Sequence, residues 1–225
     1  MPHLDTLSLA GFGVPALHSK SERQLLSGLR HLRLFNCTMA DEILFPGSLE
    51  TLILRKCVSE TDSRLTTQIP LNLAELKHLE LSEVNWKVIE DKISLRQDLS
   101  PVLTTLSVNK CDGDEVLGRM WLGIINISAL KSLKTSAIHW NDNEMQQIAG
   151  ACGQLEHIDL QDAIITGVSV KMFCLQNPLK TLNLMHCESI SPDAIEWARK
   201  SGVQVVFKNY VGLPQNPGSR VRYGD

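Results

Sequence analysis

The 225-residue sequence has little net charge and no long apolar run. Its 22 basic and 25 acidic residues give a formal charge of −3, whereas a nucleic-acid-binding surface normally brings a strong basic excess. A helix that crosses a membrane needs about 18 consecutive apolar residues, and the sequence contains no such run. We therefore expect no nucleic-acid partner and no membrane-spanning segment.

Motifs that carry catalysis are also missing. The sequence has no glycine-rich phosphate loop, no G-x-S-x-G element and no Cys-x-x-Cys pair. The amino-terminal stretch lacks the basic region and the long apolar core of an export signal. Six cysteines in a chain of this length and without such a signal favour free thiols in a reducing compartment. We therefore expect a protein of the cytoplasm or nucleus that is not an enzyme and uses no cofactor.

The chain does contain a recurring pattern of leucines. In "LETLILRKC", residues 49–57, leucines take the first, fourth and sixth positions and a cysteine takes the ninth. The first leucines of eight copies are Leu4, Leu29, Leu49, Leu76, Leu103, Leu130, Leu155 and Leu179. Successive copies are therefore 25, 20, 27, 27, 27, 25 and 24 residues apart, and "VQVVF", residues 203–207, resembles a closing ninth strand. A period of this size is typical of a solenoid.

The spacing within the pattern predicts a strand. Its later leucines alternate, so they point into a core while the residues between them face outward. We expect almost complete burial of five of these leucines: Leu52, Leu54, Leu79, Leu81 and Leu106. The ninth position lies under the following turn, where a small apolar thiol fits. Four cysteines share that position: Cys37, Cys57, Cys111 and Cys187. One copy departs from the pattern, because Thr135 occupies an apolar position.

The segments between the strands are predicted to be helical. Residues 191–202 begin with Ser191 as a cap and Pro192 in the first turn, and they end at Gly202. Residues 141–153 have the same organisation and end at Gly153. One strand and one helix in each copy predict an α/β solenoid of about eight to nine repeats. It would be curved, with a parallel sheet on its concave side and helices on its convex side.

Three histidines fall at the third position of the pattern and invite a metal-site interpretation. They are His31, His78 and His157. The first two lie two coils apart, about 10 Å by strand spacing, whereas ligand bonds to one metal are about 2 Å long. We therefore expect these three histidines to be polar surface side chains, and we expect no metal site.

The pattern L-x-x-L-x-L-x-x-N/C over about residues 4–207 resembles the leucine-rich-repeat superfamily. The cysteine at the ninth position and the element "CESISPDAI" resemble its cysteine-containing subclass, through Cys187, Ile190, Ser191 and Asp193. That subclass is known from F-box proteins, the substrate receptors of cullin-RING ubiquitin ligases. The resemblance implies substrate recognition for an SCF-type ligase, although this chain contains no F-box itself.

Other interpretations remain open for the whole chain. It could be a stand-alone repeat scaffold or inhibitor, or the repeat region of an enzyme whose catalytic domain lies elsewhere. We expect a repeat domain over residues 1–207 and a partly disordered tail over 208–225. The strand that begins near Leu4 has no cap, so we expect something to cover its unpaired edge. The candidates are an upstream F-box module, another chain, or a first coil that caps itself.

The concave face is the candidate site, since extended concave surfaces are where solenoids bind partners. An aromatic side chain beside arginines is typical of an interaction hot spot, whereas a solvated face with one exposed aromatic is the alternative. The predicted protein-binding residues are Arg30, His31, Arg33, Phe35, Ile53, Arg55 and Lys56. A secondary acidic patch consists of Glu156, Asp159 and Asp162.

Overall fold

The computed structural model describes residues 4–14, 26–39, 45–59, 73–84, 99–111 and 121–209. Of the predicted tail, only residues 208 and 209 lie in these ranges, and 210–225 lie outside them. None of the helices in the described ranges has both the length and the apolar character that crossing a membrane requires.

The described residues form an α/β structure of short strands and four helices. The strands are β1 (Thr6–Ala10), β2 (Gly13–Val14), β3 (His31–Phe35), β4 (Thr38–Met39), β5 (Thr51–Arg55), β6 (Val58–Ser59), β7 (His78–Ser82), β8 (Thr105–Asn109), β9 (Ser132–Ser136), β10 (His157–Gln161), β11 (Thr181–Met185) and β12 (Gln204–Lys208). The helices are α1 (Trp121–Ile124), α2 (Asp142–Ala151), α3 (Gly167–Gln176) and α4 (Pro192–Lys200).

Nine strands form one large sheet in the order β1-β3-β5-β7-β8-β9-β10-β11-β12. Every neighbouring pair is parallel, and equivalent positions of the leucine pattern lie opposite each other, as Leu52 does to Leu79. Because strands that follow one another in the chain are neighbours in the sheet, the backbone winds in successive coils. The fold is therefore a solenoid-like α/β arrangement. A second, small sheet of β2, β4 and β6 lies beside the first three coils.

The core consists of the leucines that the pattern places inward. The five leucines for which burial is predicted are all 0% exposed, which confirms that expectation: Leu52, Leu54, Leu79, Leu81 and Leu106. Thr135 is also buried, at 1% exposure, in the slot that leucine or valine fills in neighbouring strands. We call the opposite, outward side of the large sheet the open face.

The ninth position of the pattern lies beneath the turn, as predicted. All four of its cysteines are buried, and so are Val84, Ile138 and Ala163 at the same position of other copies. The Cys57 thiol donates to the carbonyl oxygens of Leu34 and Arg55, both at 3.5 Å, and thereby connects adjacent coils. Burial raises the pKa of Cys57 to about 11. No disulfide joins any of the six cysteines of the chain, all of them among the described residues.

The eighth position has a property that the leucine pattern does not reveal. It holds a left-handed backbone in seven copies without glycine: Asn36 (φ 53°), Lys56 (53°), Glu83 (52°), Lys110 (47°), Ala137 (61°), Asp162 (63°) and His186 (56°). This conformation costs a non-glycine residue on the order of 1–2 kcal/mol. It turns the chain while its N–H still bonds the next coil, as Asn36 does to the Arg55 carbonyl at 2.8 Å.

The two predicted helices are confirmed. In α4, Ser191 accepts a hydrogen bond from the Ala194 N–H, Pro192 is the first residue, and Gly202 follows with φ of 88°. In α2, Asn141 caps the helix, and Glu144 bonds back to the Asn141 N–H at 2.6 Å. Helix α3 also lies between two strands, as the repeat pattern predicts, but its bounds were not predicted, because its sequence, "GVSVKMFCLQ", has apolar residues on every side and so shows no helical periodicity.

Candidate protein-binding surface

The predicted basic residues come together on two neighbouring strands of the open face. The register of β3 and β5 places His31 opposite Thr51, Arg33 opposite Ile53, and Phe35 opposite Arg55. Arg30 directly precedes β3, and Lys56 directly follows β5. We call this set the basic patch: Arg30, His31, Arg33, Phe35, Ile53, Arg55 and Lys56.

At the centre of the basic patch, two contacts hold the side chain of Arg55. The Arg55 guanidinium lies 5.5 Å from the centroid of the Phe35 ring, a cation–π distance. Its Nε donates to Glu80 Oε1 at 2.6 Å. Glu80 lies on β7 opposite Ile53, and its side chain is only 15% exposed. Glu80 is not among the residues predicted for the site, although its place in the pattern, one copy after Ile53, puts it beside Arg55.

The four cations of the basic patch differ in how their charges are compensated. Arg30 lies 3.8 Å from Asp5 and 3.5 Å from Glu50, and Lys56 lies 3.6 Å from Glu83. Arg33 is exposed and, alone among these cations, has no acidic side chain within 4.0 Å in the described part of the chain. The patch therefore offers one uncompensated guanidinium beside a preformed Phe35–Arg55 pair.

Two of the three histidines at the third position lie within hydrogen-bond distance of a hydroxyl group on the next strand. His31 Nδ1 lies 3.0 Å from Thr51 Oγ1, and His157 Nδ1 lies 2.9 Å from Thr181 Oγ1. Burial lowers the pKa of His78, and the Arg33 charge lowers it further, while Glu80 opposes the shift. Within the described ranges, no group of three His, Cys, Asp or Glu side chains is arranged to hold a metal ion.

A row of charged side chains runs along the entry to the strands, at the second position of the pattern. We call it the charge row, and its members in spatial order are Asp5, Arg30, Glu50, Lys77, Thr104, Lys131, Glu156 and Lys180. Each backbone N–H in the row donates to the carbonyl of the preceding member at 2.8–2.9 Å. The side chains alternate in charge on both sides of Thr104, which is the one uncharged member.

The two acids in the interior of the charge row, Glu50 and Glu156, each bridge two bases. Glu50 lies 3.5 Å from Arg30 and 2.8 Å from Lys77, and the hydrogen bond from Lys77 lowers the pKa of Glu50. Glu156 bonds Lys180 and lies 4.0 Å from Lys131. The hydrogen bond from Lys180 lowers the pKa of Glu156 as well. Both carboxylates are therefore charged and paired at neutral pH.

The predicted acidic patch lies on a different part of the open face. Its three residues belong to β10 and its ends, four strands from β5. Glu156 is paired in the charge row, and Asp159 lies 3.0 Å from Lys134. Asp162 occupies a left-handed position, where its carbonyl oxygen lies 2.9 Å from His139 Nδ1. Two of the three acidic groups are thus already compensated within the chain.

Apolar side chains are exposed on the helical side of the sheet. Val168 and Leu175 of α3 are 53% and 63% exposed, and Ile164, just before the helix, is 58% exposed. The corresponding residues of α2, 25 positions earlier, include Asn143 and Gly150. This exposed apolar surface accounts for the missing helical periodicity of α3.

No family model matches the chain, and no curated protein matches it. The class of the protein follows from the fold alone: an α/β protein whose successive coils build one large parallel sheet.

Proposed function

We propose that this chain is a leucine-rich-repeat protein-recognition domain that binds a protein partner through the basic patch. Its coils would form the eight to nine repeats of a curved solenoid with the open face on the concave side. The recurring leucines, the cysteines at the ninth position and the parallel order of the strands support this assignment. The similarity to the cysteine-containing subclass favours an intracellular role as the substrate-recognition part of an SCF-type ubiquitin ligase.

The observation that carries the proposal is the Phe35–Arg55–Glu80 cluster. A guanidinium held by a carboxylate and an aromatic ring loses little freedom on binding, which favours affinity. Ile53 lies beside it, and Arg33 offers a charge that no described side chain neutralises. Aromatic and arginine side chains of this kind dominate binding energies at protein interfaces.

Recognition without chemistry is also favoured by the state of the thiols. Burial raises the pKa of Cys152 to about 12, and that of Cys57 to about 11. A thiol of this kind is almost entirely protonated at neutral pH, whereas a nucleophilic cysteine must be a thiolate. The domain would therefore hold its partner for another module to act on.

Partner capture from a cell lysate tests the proposal. Wild type, a triple variant of Phe35→Ala, Arg33→Ala and Arg55→Ala, and a matched acidic variant with alanine at 156, 159 and 162 would be compared. We expect the first variant to lose partners that the acidic variant retains. Phe35 alone should account for about 2 kcal/mol or more of binding free energy. Cullin or adaptor subunits among the captured proteins would distinguish a ligase receptor from a scaffold.

The variants must stay folded for the comparison to be valid. Loss of the Arg55 ion pair and of the cation–π contact should cost roughly 1–2 kcal/mol of stability in total. Arg33→Ala removes no ion pair among the described residues, so it is the cleanest single variant. If the folded triple variant keeps every wild-type partner, the basic patch is not the binding site.

A further inference from the structure

We infer that the charge row contains a carboxylate-binding site at Thr104, where a carboxylate of a bound acidic protein segment lies between Lys77 and Lys131. The inference rests on the proposed protein-recognition function for the nature of the occupant. The site itself follows from the order of charges along the row. Thr104 is the one place in the row where alternation calls for an acid and the chain supplies none.

The backbone hydrogen bonds of the charge row continue through Thr104, so what is missing there is only an acidic side chain. We call this position the gap. The Thr104 N–H donates to the Lys77 carbonyl at 2.8 Å, and the Lys131 N–H donates to the Thr104 carbonyl at 2.9 Å. The Thr104 hydroxyl also donates to the Lys77 carbonyl, at 3.0 Å, so its side chain is directed to the backbone. Lys77 and Lys131 are thus two strand spacings apart, about 10 Å, with a short neutral side chain between them.

The neighbouring acids show which ligand such a gap accepts. Each carboxylate in the interior of the row turns one oxygen to the preceding base and the other to the following base. Glu50 does so with Oε1 toward Arg30 and Oε2 toward Lys77, and Glu156 does so with Lys131 and Lys180. A carboxylate at Thr104 would complete the same arrangement. This recurrence favours a carboxylate over other anions.

The charge row as a whole has a positive net charge. The row holds four bases, Arg30, Lys77, Lys131 and Lys180, against the three acids Asp5, Glu50 and Glu156, a balance of 4 − 3 = +1.

Lys131 is the less compensated of the two flanking lysines. Its Nζ is 4.0 Å from Glu156, whereas Lys77 lies 2.8 Å from Glu50. Both lysine side chains are about half exposed, at 53% and 52%, so an incoming group can reach them. Strands β8 and β9 carry no acidic residue that could fill the gap from within.

The position of the gap relates it to the basic patch. Strand β8 is two places from β5 in the sheet, a distance of about 10 Å. Arg55 lies at the far end of β5, five residues beyond the level of Thr104, which adds about 16 Å along the strand direction. The two residues are therefore about 19 Å apart, so a partner segment that contacts Arg55 would place an acidic residue at Thr104 about six positions along its sequence.

Titration with a capped tri-glutamate peptide, followed by the NMR shifts of the Thr104 amide and of the lysine ammonium groups, tests the site. At low salt we expect saturable shifts, at least threefold weaker binding by Lys131→Ala, and at least fivefold weaker binding by Thr104→Glu. Thr104→Glu places the missing acid within the chain, so it should also raise the melting temperature. Gln204→Glu on β12 is the matched control, since it makes the same change in net charge elsewhere on the open face. It should alter affinity less than twofold.

Three results would overturn the inference. They are equal weakening by Thr104→Glu and Gln204→Glu, the absence of saturable binding, or tighter binding of a phosphoserine peptide than of the glutamate peptide. Tri-glutamine should cause no shifts. Because the probe is a peptide, failure here leaves the basic-patch proposal intact, whereas failure of lysate capture leaves this binding site intact.

Discussion

At the scale of single residues, Thr135 is the clearest departure from an otherwise apolar core. It lies between Val108 and Leu160 in the register of the sheet, at a position that leucine takes in most copies. Its hydroxyl is buried and has no hydrogen-bond partner among the described residues. A buried hydroxyl without a partner costs about 1–3 kcal/mol relative to one in water.

Thr135→Val should therefore stabilise the protein. Valine has nearly the same shape, replaces the unpaired hydroxyl with a methyl group, and should raise the free energy of unfolding by about 1 kcal/mol. Urea unfolding of the two proteins measures the difference. Thr105→Val, at a half-buried position of the open face, is the control and should change stability by less than about 0.5 kcal/mol. A loss of stability in Thr135→Val would show that the hydroxyl has a partner.

At the scale of elements, one carboxylate connects two successive helices. Asp142, the first residue of α2, accepts hydrogen bonds from the Thr166 N–H at 2.9 Å, the Thr166 hydroxyl at 2.7 Å and the Ser169 hydroxyl at 2.5 Å. Thr166 is in turn the cap of α3. Burial opposes the charged form, but the bonds from Ser169 and Thr166 outweigh it and lower the pKa of Asp142.

Asp142→Asn should weaken this connection in a pH-dependent way. An asparagine cannot accept all three bonds, so the variant should lose about 1–3 kcal/mol of stability at pH 7. Because the folded pKa of Asp142 lies below the unfolded value, its contribution is present above about pH 3.9 and is lost as pH falls through the folded pKa. The difference between wild type and variant should therefore shrink as pH falls below about 4, as unfolding measurements at successively lower pH would show.

The first turn of α4 supplies the control for this experiment. Asp193 occupies it but is exposed, so Asp193→Asn should cost only about 0.3–1 kcal/mol through the helix dipole. If Asp142→Asn costs no more than Asp193→Asn, the connection between α2 and α3 does not stabilise the fold.

At the scale of the whole molecule, stability depends on contacts between successive coils. The order of strands in the large sheet follows the order of the chain, so an interior strand pairs only with the strands before and after it. In such an arrangement stability is approximately a sum of coil and interface contributions. Damage to a central coil removes two interfaces, whereas damage to an end coil removes one.

Leu106→Ala in the central strand β8 should be strongly destabilising. The side chain is 0% exposed, and a cavity at such a site costs about 2–5 kcal/mol. Leu7→Ala in β1, whose side chain is only partly buried and which pairs with β3 alone, should cost less than half as much. Urea unfolding of both variants measures the two costs. Equal losses would mean that the chain does not behave as a series of coils.

The leucine spacing alone predicted the strands, their parallel order, the buried ladder and the cysteines beneath the turns. It could do so because which apolar side chains enter the core depends on their local alternation along the chain, and this alternation is visible in the sequence. The caps of α2 and α4 were predictable for the same reason, since Asn141 and Ser191 act on backbone groups only a few residues away. The members of the basic patch were predictable by position, because outward residues of neighbouring copies must adjoin.

Only the tertiary structure decided how those outward residues pair. The contact of Arg55 with Glu80, the charge row with its gap at Thr104, and the three bonds to Asp142 join residues 20 to 27 positions apart. The leucine pattern aligns these positions, but it does not show which side chains contact each other across the strands. The left-handed eighth position was hidden too, because six residue types, none of them glycine, occupy it in seven copies. Its conformation is imposed by the hydrogen bonds between coils, which exist only after the sheet has formed.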